Sequence, residues 1–508
     1  MFKYAISYIC VGALFLLGQH SYAKTYKVNN TIDLQGKSWT LCKNDILIFE
    51  GQGRLSNGVV EGNNTIIRAD KTEIFNNIIL KGTFKAEVAF SEWFGINSDC
   101  VLSDEKTFVS GTDYTLEFTN LFLFDNVAIA PGTYMIRGGL RCRDNQTING
   151  NGATIKSLNK GICIKIDGSK SNPIRNVIIK NLKIVGGKKD YNDITEFWDG
   201  IDIGYAKDIV IEGVTAEYCR GDGFYIGTGI GKERDKRIPQ DIKLINIRAY
   251  HNHRQGLSIT RAKGVLIENS EFCYTEGVPP QRGIDIEPNC RQCEDGSWNV
   301  GICEDIVIDS CLFKGNAVAG LVLFKVPDPI KQNTFIIKNV TIKNSSFDDD
   351  DIFIEGGKNI KLENLTLHNS VIGVVEKSAV KNLTVSHIKM EEHRRINRRD
   401  AIELDYSEGS ATRTNIIIND IEIKGYGGAG IVIRNGVDSF TPQYNRVSIT
   451  NCRISKCGKG VVKGNNVKSL KVQNNHVTDD LSTECFIGGI VIMSLAGVIL
   501  KEKRAFQS

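Results

Sequence analysis

A short phrase that recurs from Val177 to Val477 constrains the fold more than any other feature of the chain. Each copy alternates aliphatic and polar residues, bends at a small polar residue and ends in a second alternating apolar pair. VIIKNLKI from Val177, VLIENSEF from Val265 and VSITNCRI from Val447 are typical copies. The bends recur every 18 to 40 residues, a spacing that suits one solenoid coil plus a variable loop. They fall at Asn181, Gly213, Asn246, Asn269, Asp309, Asn339, Asn364, Asn382, Asn419, Asn451 and Asn474.

Each phrase predicts two half-buried strands joined at a bend that tolerates left-handed backbone angles. Because one short strand cannot bury its apolar face alone, stacked coils must supply parallel partners and a continuous core. We expect inward Asn side chains to hydrogen-bond along the stack. A further strand in each coil is marked by glycine followed by aliphatic residues, which favours a parallel β-helix over leucine-rich or helical repeats. These glycines are Gly200, Gly223, Gly256, Gly283, Gly320, Gly373 and Gly430.

The coils from about residue 80 to 500 resemble those of the pectate-lyase-like superfamily, which includes polygalacturonases, polysaccharide lyases, uronan epimerases and phage tailspikes. Ser91–Gly95 (SEWFG) resembles the opening motif of that superfamily, and QTINGNGATI from Gln146 resembles its first full coil. The stretch from Cys100 to Leu121 departs from the usual Asp-rich segment. The resemblance implies an all-β fold, a right-handed parallel β-helix over residues 91–500. Residues 24–90 predict an N-terminal β cap or first coils, and 501–508 a C-terminal tail.

The first 23 residues have the pattern of a signal peptide. Lys3 precedes an apolar run to Leu17, and Ser21-Tyr22-Ala23 is a small-residue cleavage pattern. We therefore expect an exported protein that is periplasmic, bound to the cell surface or secreted. A second apolar run, Phe486 to Leu500, is shorter than the roughly 20 residues of a membrane span and predicts the last buried strands. No membrane span is expected in the mature chain.

The cysteines leave several interpretations open. Removal of the signal peptide takes one of the 14 cysteines, so the odd number that remains cannot all pair within one chain. Cys290, Cys293, Cys303 and Cys311 form the densest group, which predicts a disulfide or buried thiols, with structural zinc and a redox role as alternatives. The net charge of +4 on 508 residues does not favour nucleic acid as a partner.

Polar residues concentrate in four consecutive coils when the marker glycines are aligned. Successive coils stack about 4.8 Å apart, so equivalent residues form columns. Further along the chain the position two residues after the glycine is apolar, at Val322, Val375 and Val432. Asp199, Asp222, Gln255 and Arg282 precede the glycines of the four coils, Asp202, Tyr225, Ser258 and Asp285 follow them by two residues, and Trp198, His253, Arg254 and Glu287 stand beside them.

This set predicts a carbohydrate site. Paired carboxylates on neighbouring coils suit acid–base or nucleophilic chemistry, because close like charges separate their pKa values. Trp198 and Tyr225 are candidate sugar platforms, and Asp202, His253 and Gln255 are further candidate substrate ligands. The alternative for each single carboxylate is a turn-capping role.

The polygalacturonase pattern resembles part of the set. In that family three Asp and one His come from Asn-Thr-Asp-Gly, Gly-Asp-Asp and Gly-His-Gly on three coils. This chain has Asp199 and Asp222 at two of the Asp positions, Gly221 at the third and Gln255 at the His position, with His253 two residues away. The resemblance therefore implies Asp199 and Asp222 as catalytic carboxylates without the complete set.

Calcium-dependent lyases offer a second resemblance. Asp285, Glu287 and Asn289 stand at alternate positions of one strand, a set of hard oxygen ligands of the Ca²⁺ type. Arg254 or Arg282 would then remove the proton in a β-elimination, with Lys325 as a distant candidate. The cofactor is accordingly none or Ca²⁺.

Two functions remain in competition. The first is an exported enzyme that depolymerises a uronic-acid-containing polysaccharide or oligosaccharide by elimination or by hydrolysis. The second is a non-catalytic β-helix that binds glycan or presents a surface. A catalyst needs Asp199, Asp222, Arg254 and Asp285 to converge in one groove, whereas a binding module needs only a ribbon of aromatic and polar side chains.

Overall fold

The computed structural model describes residues 6–8, 22–192, 196–229, 237–324, 334–375, 379–393, 399–405, 413–434, 444–464 and 467–478. Most of the predicted signal peptide, Lys325, the apolar run 486–500 and the tail 501–508 lie outside them. The chain forms two compact units. Met1–Leu312 with Asn316–Val318 make the first, and Phe313–Gly315 with Ala319–Ser508 make the second. No helix among the described residues is long and apolar enough to cross a membrane.

The first unit opens with a seven-stranded sheet. Its strands pair in parallel, as Thr25 pairs with Ile46 and Leu55 with Phe75. Alternation along Ile46–Phe49 places Leu47 and Phe49 in the core, because successive side chains of a strand point to opposite faces. The strands are Ile6–Tyr8, Thr25–Val28, Thr31–Asp33, Ser38–Thr40, Ile46–Phe49, Arg54–Arg68 and Phe75–Lys85.

Short helices follow this sheet. A 3₁₀ helix spans Ser91–Phe94 and an α-helix spans Thr115–Leu121, within the stretch that departs from the superfamily pattern. The buried amide of Asn120 accepts a hydrogen bond from the backbone N–H of Leu80 (3.0 Å) and donates to the carbonyl of Ile78 (2.7 Å). The α-helix is therefore fixed to the last strand of the opening sheet, since a buried amide needs such partners.

Stacked coils make up the rest of the first unit. Their strands run parallel, and buried aliphatic residues alternate with less buried residues, as Ile209 and Ile211 flank Val210 in Ala206–Glu212. The strands of the main coil sheet are Ala89–Phe90, Asn126–Ala128, Thr133–Ile136, Thr147–Ser157, Ile174–Val185, Ala206–Glu212, Thr215–Glu217, Gln240–Ile245, Arg248–Tyr250, Ala262–Glu268, Glu271–Cys273 and Cys303–Asp309. Two hairpins extend from the coils, Val101–Leu102 with Phe108–Ser110 and Cys290–Gln292 with Trp298–Val300.

A second sheet carries one short strand per coil, and we call its part in the first unit the site sheet. It is the sheet that the marker glycines predicted. Each of these strands pairs in parallel with the next, as Ile201 pairs with Phe224 and Leu257 with Ile284. The site sheet consists of Leu140–Arg141, Ile164–Ile166, Ile201–Ile203, Phe224–Ile226, Gln255–Ile259 and Arg282–Ile286.

The second unit repeats both sheets. Phe313 stacks on Phe347 within its core, with ring centroids 4.3 Å apart. Its strands are Leu312–Lys314, whose first residue belongs to the first unit, Ala319–Leu323, Ile337–Lys343, Ser346–Asp348, Ile352–Ile354, Gly357–His368, Ile372–Val374, Val380–Glu391, Ile402–Leu404, Arg413–Lys424, Ala429–Ile433, Tyr444–Thr450, Arg453–Ser455, Lys459–Val462, Leu470–Gln473 and His476–Thr478.

Left-handed residues mark the coil turns, although not all at the predicted positions. Asn181 and Asn246 adopt φ of 54° and 51° as predicted. At two coils the left-handed residue is one position later than predicted, at Ser310 and Asp420. Asn339 and Asn382 are left-handed but belong to a different turn, at the opposite end of their strand. Asp and Ser also tolerate these angles through local hydrogen bonds. Aligning the coils by Asn alone therefore assigns residues of two different turns to a single predicted bend.

The predicted Asn ladders exist, but those at the turns point outward rather than inward. Asn359 donates to Asn339, Asn382 to Asn359 and Asn415 to Asn382, each over 2.9 Å, along turns that face solvent. The inward Asn residues are others. Asn252 is buried, accepts from the backbone N–H of Cys219 (3.0 Å) and donates to the carbonyl of Ala216 (3.1 Å).

Two cysteines of the central group are buried thiols that form no disulfide. Cys293 and Cys303 are buried free thiols, so the predicted disulfide does not involve them. Burial raises the pKa of the Cys303 thiol, which keeps it neutral. Cysteine here acts as a small hydrophobic side chain.

Candidate active site

One register aligns the polar residues of the site sheet. Asp202 pairs with Tyr225, Tyr225 with Ser258, and Ser258 with Asp285, as the glycine alignment predicts. Lys165 pairs with Asp202 on the preceding coil. We call these five residues the site column. Parallel in-register pairing explains why alternate residues of different coils share one face.

A cleft of about 390 Å³ opens beside the site column. It collects most of the predicted carboxylates together with polar and aromatic residues that the sequence did not single out. Its lining consists of Ile162, Lys165, Asp167, Glu196, Phe197, Asp199, Asp202, Gly204, Asp222, Tyr225, Gly227, Thr228, Gly229, Arg237, Arg254, Thr260, Glu287 and Asn289.

Asp199 and Asp222 form a close pair at the base of the cleft. The backbone N–H of Asp222 donates to Oδ1 of Asp199 over 2.7 Å, and the two residues are only 7% and 1% exposed. Burial and the charge of Asp222 raise the pKa of Asp199 well above its usual range. Burial also raises the pKa of Asp222 to about 6, against the opposing effect of Arg254. The pair therefore retains a proton at a pH where exposed carboxylates are ionised.

Arg254 holds the ionised form of Asp222. Its Nη1 lies 3.2 and 3.1 Å from the two oxygens of Asp222 and 3.3 Å from Oγ of Ser258. Its Nη2 lies 3.9 Å from a carboxylate oxygen of Glu287. Burial opposes the charge of Arg254, but Asp222 and Glu287 outweigh it and raise the arginine pKa. Arg254 is therefore a fixed cation.

Glu287 provides a second titratable group in the cleft. Burial and the neighbouring charge of Asp285 raise its pKa to about 7, although Arg254 and Arg282 favour its ionised form. The sequence presented Glu287 as a calcium ligand. In the folded chain it faces the same cleft as Asp199 and Asp222 and carries a proton near neutral pH.

Of the other residues in the predicted calcium and base sets, Asn289 lines the cleft, whereas Asp285 and Arg282 form a closed cluster with Gln255. Arg282 donates from Nη1 to both oxygens of Asp285 at 2.8 Å, and Gln255 donates to the same carboxylate at 2.7 Å. Asp285 and Gln255 are completely buried. None of the three lines the cleft. The structure therefore does not place Asp285 in the cleft with Asp199, Asp222 and Arg254, because Arg282 and Gln255 bind its carboxylate.

Trp198 and His253 also lie away from the cleft lining. Trp198 packs edge-on against Tyr191 with ring centroids 5.5 Å apart. Burial, together with the charges of Arg220 and Lys188, lowers the pKa of His253 to about 4. His253 therefore does not replace the polygalacturonase histidine at the cleft.

Asp202 and Tyr225 do line the cleft. Burial raises the pKa of Asp202 to about 6, although Lys165, 3.8 Å away, opposes the shift. The hydroxyl of Tyr225 lies 2.7 Å from Oγ1 of Thr260, and burial raises its pKa to about 12. Tyr225 is therefore a neutral hydrogen-bonding group.

Sequence reasoning missed several lining residues. Lys165 occupies the first site-column position, but Cys163 stands where the later coils have glycine, so the glycine alignment passed over that coil. Glu196 and Phe197 precede the Trp198-Asp199-Gly200 segment, and Phe197 is 73% exposed at the rim. An exposed aromatic side chain beside a polar cleft is a useful signal of a ligand-binding surface. The sequence could not place Glu196 and Phe197 there, because they lie in a loop that has no repeat to align.

Comparisons with known proteins agree with the fold. The family described as "Right handed beta helix region" matches residues 186–339. The N-terminal fragment of gene product 12 of bacteriophage Phi29 is similar at 12% identity over 77% of this chain and 66% of that one, with a TM-score of 0.51. The Dettilon tailspike protein is similar at 13% identity over 74% of this chain and 68% of that one, with a TM-score of 0.50.

A tailspike of the Acinetobacter baumannii bacteriophage Fri1, described as a capsular polysaccharide depolymerase, is similar at 12% identity over 82% of this chain and 66% of that one, with a TM-score of 0.44. The chain thus spans about two thirds of each of these three structures. No curated protein sequence matches it significantly. The protein is a right-handed parallel β-helix, as its repeat predicted.

Proposed function

We propose that the protein is a glycoside hydrolase that cuts a polysaccharide in the cleft of its first unit. One observation carries this proposal: Asp199, Asp222 and Glu287 line one cleft, and the pKa of each is raised. Hydrolysis of a glycosidic bond needs one carboxylic acid that keeps its proton and one carboxylate that is ionised. Environments that separate the pKa values of neighbouring carboxyl groups supply both.

The roles follow from the contacts. Arg254 donates to both oxygens of Asp222, so Asp222 acts as the ionised base or nucleophile. Asp199 is more strongly shifted and has no cation within hydrogen-bonding distance among its described contacts, so it stays protonated beside Asp222. Glu287, with a pKa of about 7, is the acid that protonates the leaving oxygen at neutral pH.

The contacts support hydrolysis better than β-elimination. In the elimination considered above, Arg254 or Arg282 would have to lose its proton and act as the base. Arg254 is held protonated by Asp222 and Glu287, and Arg282 is bound to Asp285 away from the cleft. Both candidate bases within the described residues are therefore poorly placed for that step, and Lys325 lies outside those residues.

The charges in the cleft favour a sugar without a carboxylate. The described lining contains six carboxyl side chains and three cations. Carboxylates of the protein already bind Lys165, which lies 3.3 Å from Asp167, and Arg254, which lies 3.1 Å from Asp222. A uronate would add another negative charge, whereas a neutral or amino sugar would not. We therefore propose a neutral or amino-sugar-containing glycan in place of the uronic-acid substrate expected from the sequence.

Export completes the proposal, because polysaccharides of this kind lie outside the cell membrane. Its support is the signal-peptide pattern of residues 1–23.

The test is product formation from a panel of neutral, amino-sugar and uronic-acid polysaccharides. Reducing ends and ultraviolet absorbance are followed together, since elimination creates an absorbing unsaturated uronate. We expect reducing ends without absorbance, from neutral or amino-sugar glycans. Absorbance would refute hydrolysis. If no glycan in the panel is cut but one binds in the cleft, the non-catalytic alternative replaces the enzyme.

A further inference from the structure

Two histidines and a glutamate converge in the second unit, a cluster that the glycan proposal does not use. The potential ligand atoms of His368, Glu391 and His393 all lie within 4.8 Å of one another. His368 ends the strand Gly357–His368, and Glu391 ends the strand Val380–Glu391. The two residues are direct partners in the parallel register, so the fold itself places imidazole beside carboxylate.

The carboxylate of Glu391 is divided between two neighbours. Its Oε1 accepts a hydrogen bond from Lys424 over 2.5 Å, whereas its Oε2 lies 3.8 Å from Nε2 of His393. A separation of 3.8 Å is too long for a hydrogen bond. One oxygen is therefore fixed by the lysine while the other faces an imidazole nitrogen without bonding to it.

The backbone holds His393 in this arrangement. Its N–H donates to Oδ1 of Asn369 over 2.9 Å, and its ring lies nearly parallel to that of His368, with centroids 6.2 Å apart and an interplanar angle of 20°. The His393 side chain is 62% exposed, so it can rotate to adjust a ligand distance.

We propose that His368, Glu391 and His393 bind a divalent transition-metal ion of the zinc type. Two imidazoles and a carboxylate are ligands that suit such ions, whereas calcium and magnesium prefer oxygen ligands alone. Zinc binds nitrogen and oxygen at about 2.0–2.2 Å, so the three side chains must approach one another by about 1 Å. Bound metal would tie two successive coils of the second unit together and leave an open coordination position.

The experiment is a calorimetric titration of the metal-stripped full chain with zinc chloride. We expect one saturable equivalent, with no equivalent binding of calcium or magnesium. Replacing His368 or His393 by alanine should weaken zinc binding at least about tenfold, the effect expected when one of three ligands is lost. Circular dichroism and thermal unfolding of each variant verify that it is folded.

His387 offers a matched control in the same unit. It is exposed and lies 3.6 Å from the carboxylate of Asp420, but no second histidine completes its cluster among the described residues. His387→Ala should leave zinc affinity unchanged. The proposal is overturned if zinc does not saturate a site, or if His387→Ala weakens binding as much as His368→Ala and His393→Ala do. It is also overturned if His368→Ala and His393→Ala bind zinc as the unaltered chain does. Glycan cleavage is not a readout, so this outcome is independent of the proposed function.

Discussion

The same short strand recurs in both units, yet its outward residues differ in kind. In the first unit the site column reads Lys165, Asp202, Tyr225, Ser258 and Asp285. In the second unit the equivalent positions, which we call the second column, are Val322, Phe353, Gly373, Glu403 and Val432. The backbone and the core aliphatics are alike. A solenoid therefore separates folding from function, because the inward residues maintain the coil and the outward ones are free to change.

The second column also corrects a prediction. The sequence placed Val375 in it, but Gly373 pairs with Phe353 and Glu403. In that coil the glycine lies inside the strand and not before it. The column is thus not purely apolar, since Glu403 binds Arg434 at 2.5 Å. What distinguishes the first unit is a cleft lined by the buried carboxyl groups of Asp199, Asp202 and Asp222, whose pKa values are raised.

The largest effect is expected from Asp222→Asn. The variant removes the ionised base but preserves the size of the side chain, so kcat should fall about 10²- to 10⁴-fold. Glu403→Gln in the second column is the matched control. Its ion pair with Arg434 is exposed and contributes little to stability, so its activity should stay unchanged. Reducing-end assays on both purified variants check this, and equal losses would show that the cleft of the first unit does not differ in function from the second column.

The pH profile should come next in size. Activity requires ionised Asp222, with a pKa of about 6, and protonated Glu287, with a pKa of about 7. We therefore expect kcat/KM to rise through about pH 6 and to fall above about pH 7. A rate that stays flat from pH 7 to pH 9 would exclude Glu287 as the acid. Glu287→Gln should remove the alkaline limb together with most of the rate.

Arg254→Met should shift this profile. Arg254 lowers the pKa of Asp222 and of Glu287, so its loss should move both limbs to higher pH, by about 1 to 3 units for the acidic limb. Arg434→Met in the second unit is the control and should leave both limbs in place. An unmoved acidic limb in Arg254→Met would contradict the pairing of Arg254 with Asp222.

The smallest effect concerns stability. Burial and the charge of Asp222 raise the pKa of Asp199 in the folded state, so the folded form binds its proton more tightly than the unfolded form does. That stabilisation is complete at low pH and is lost as the pH rises through the folded pKa. Asp199→Asn does not ionise and should gain thermal stability relative to the native chain between pH 5 and pH 9. A difference in melting temperature that does not change with pH would contradict this.

The fold was largely predictable because the same pattern of apolar and polar residues recurs in every coil. Every coil restates the alternation of apolar residues, so single departures such as Cys163 or Gly373 did not hide the β-helix. The turns were less predictable, since Ser310 and Asp420 adopt the left-handed angles that Asn was expected to adopt. Residues in contact across coils followed from register once the glycines were aligned.

The site was predictable only in part. Asp199, Asp222 and Arg254 were found because they adjoin the aligned strands. The state of Asp285 was not, because the sequence does not show that Arg282 three residues earlier folds over it. Glu196 and Phe197 could not be predicted because they lie in a loop without a repeat. Trp198 and His253 adjoin the aligned strands but do not line the cleft, because their side chains point elsewhere. Position on a coil is encoded locally, whereas ion pairing and burial depend on the whole fold.

The central claim is that the carboxylates of the first unit cleave a glycosidic bond with water. Mass spectrometry of the fragments released from a defined oligosaccharide tests it most directly. We expect fragment masses that sum to the substrate plus one water, with the fragments missing for Asp222→Asn and present for Glu403→Gln. Fragments that sum to the substrate alone would show elimination and would contradict hydrolysis.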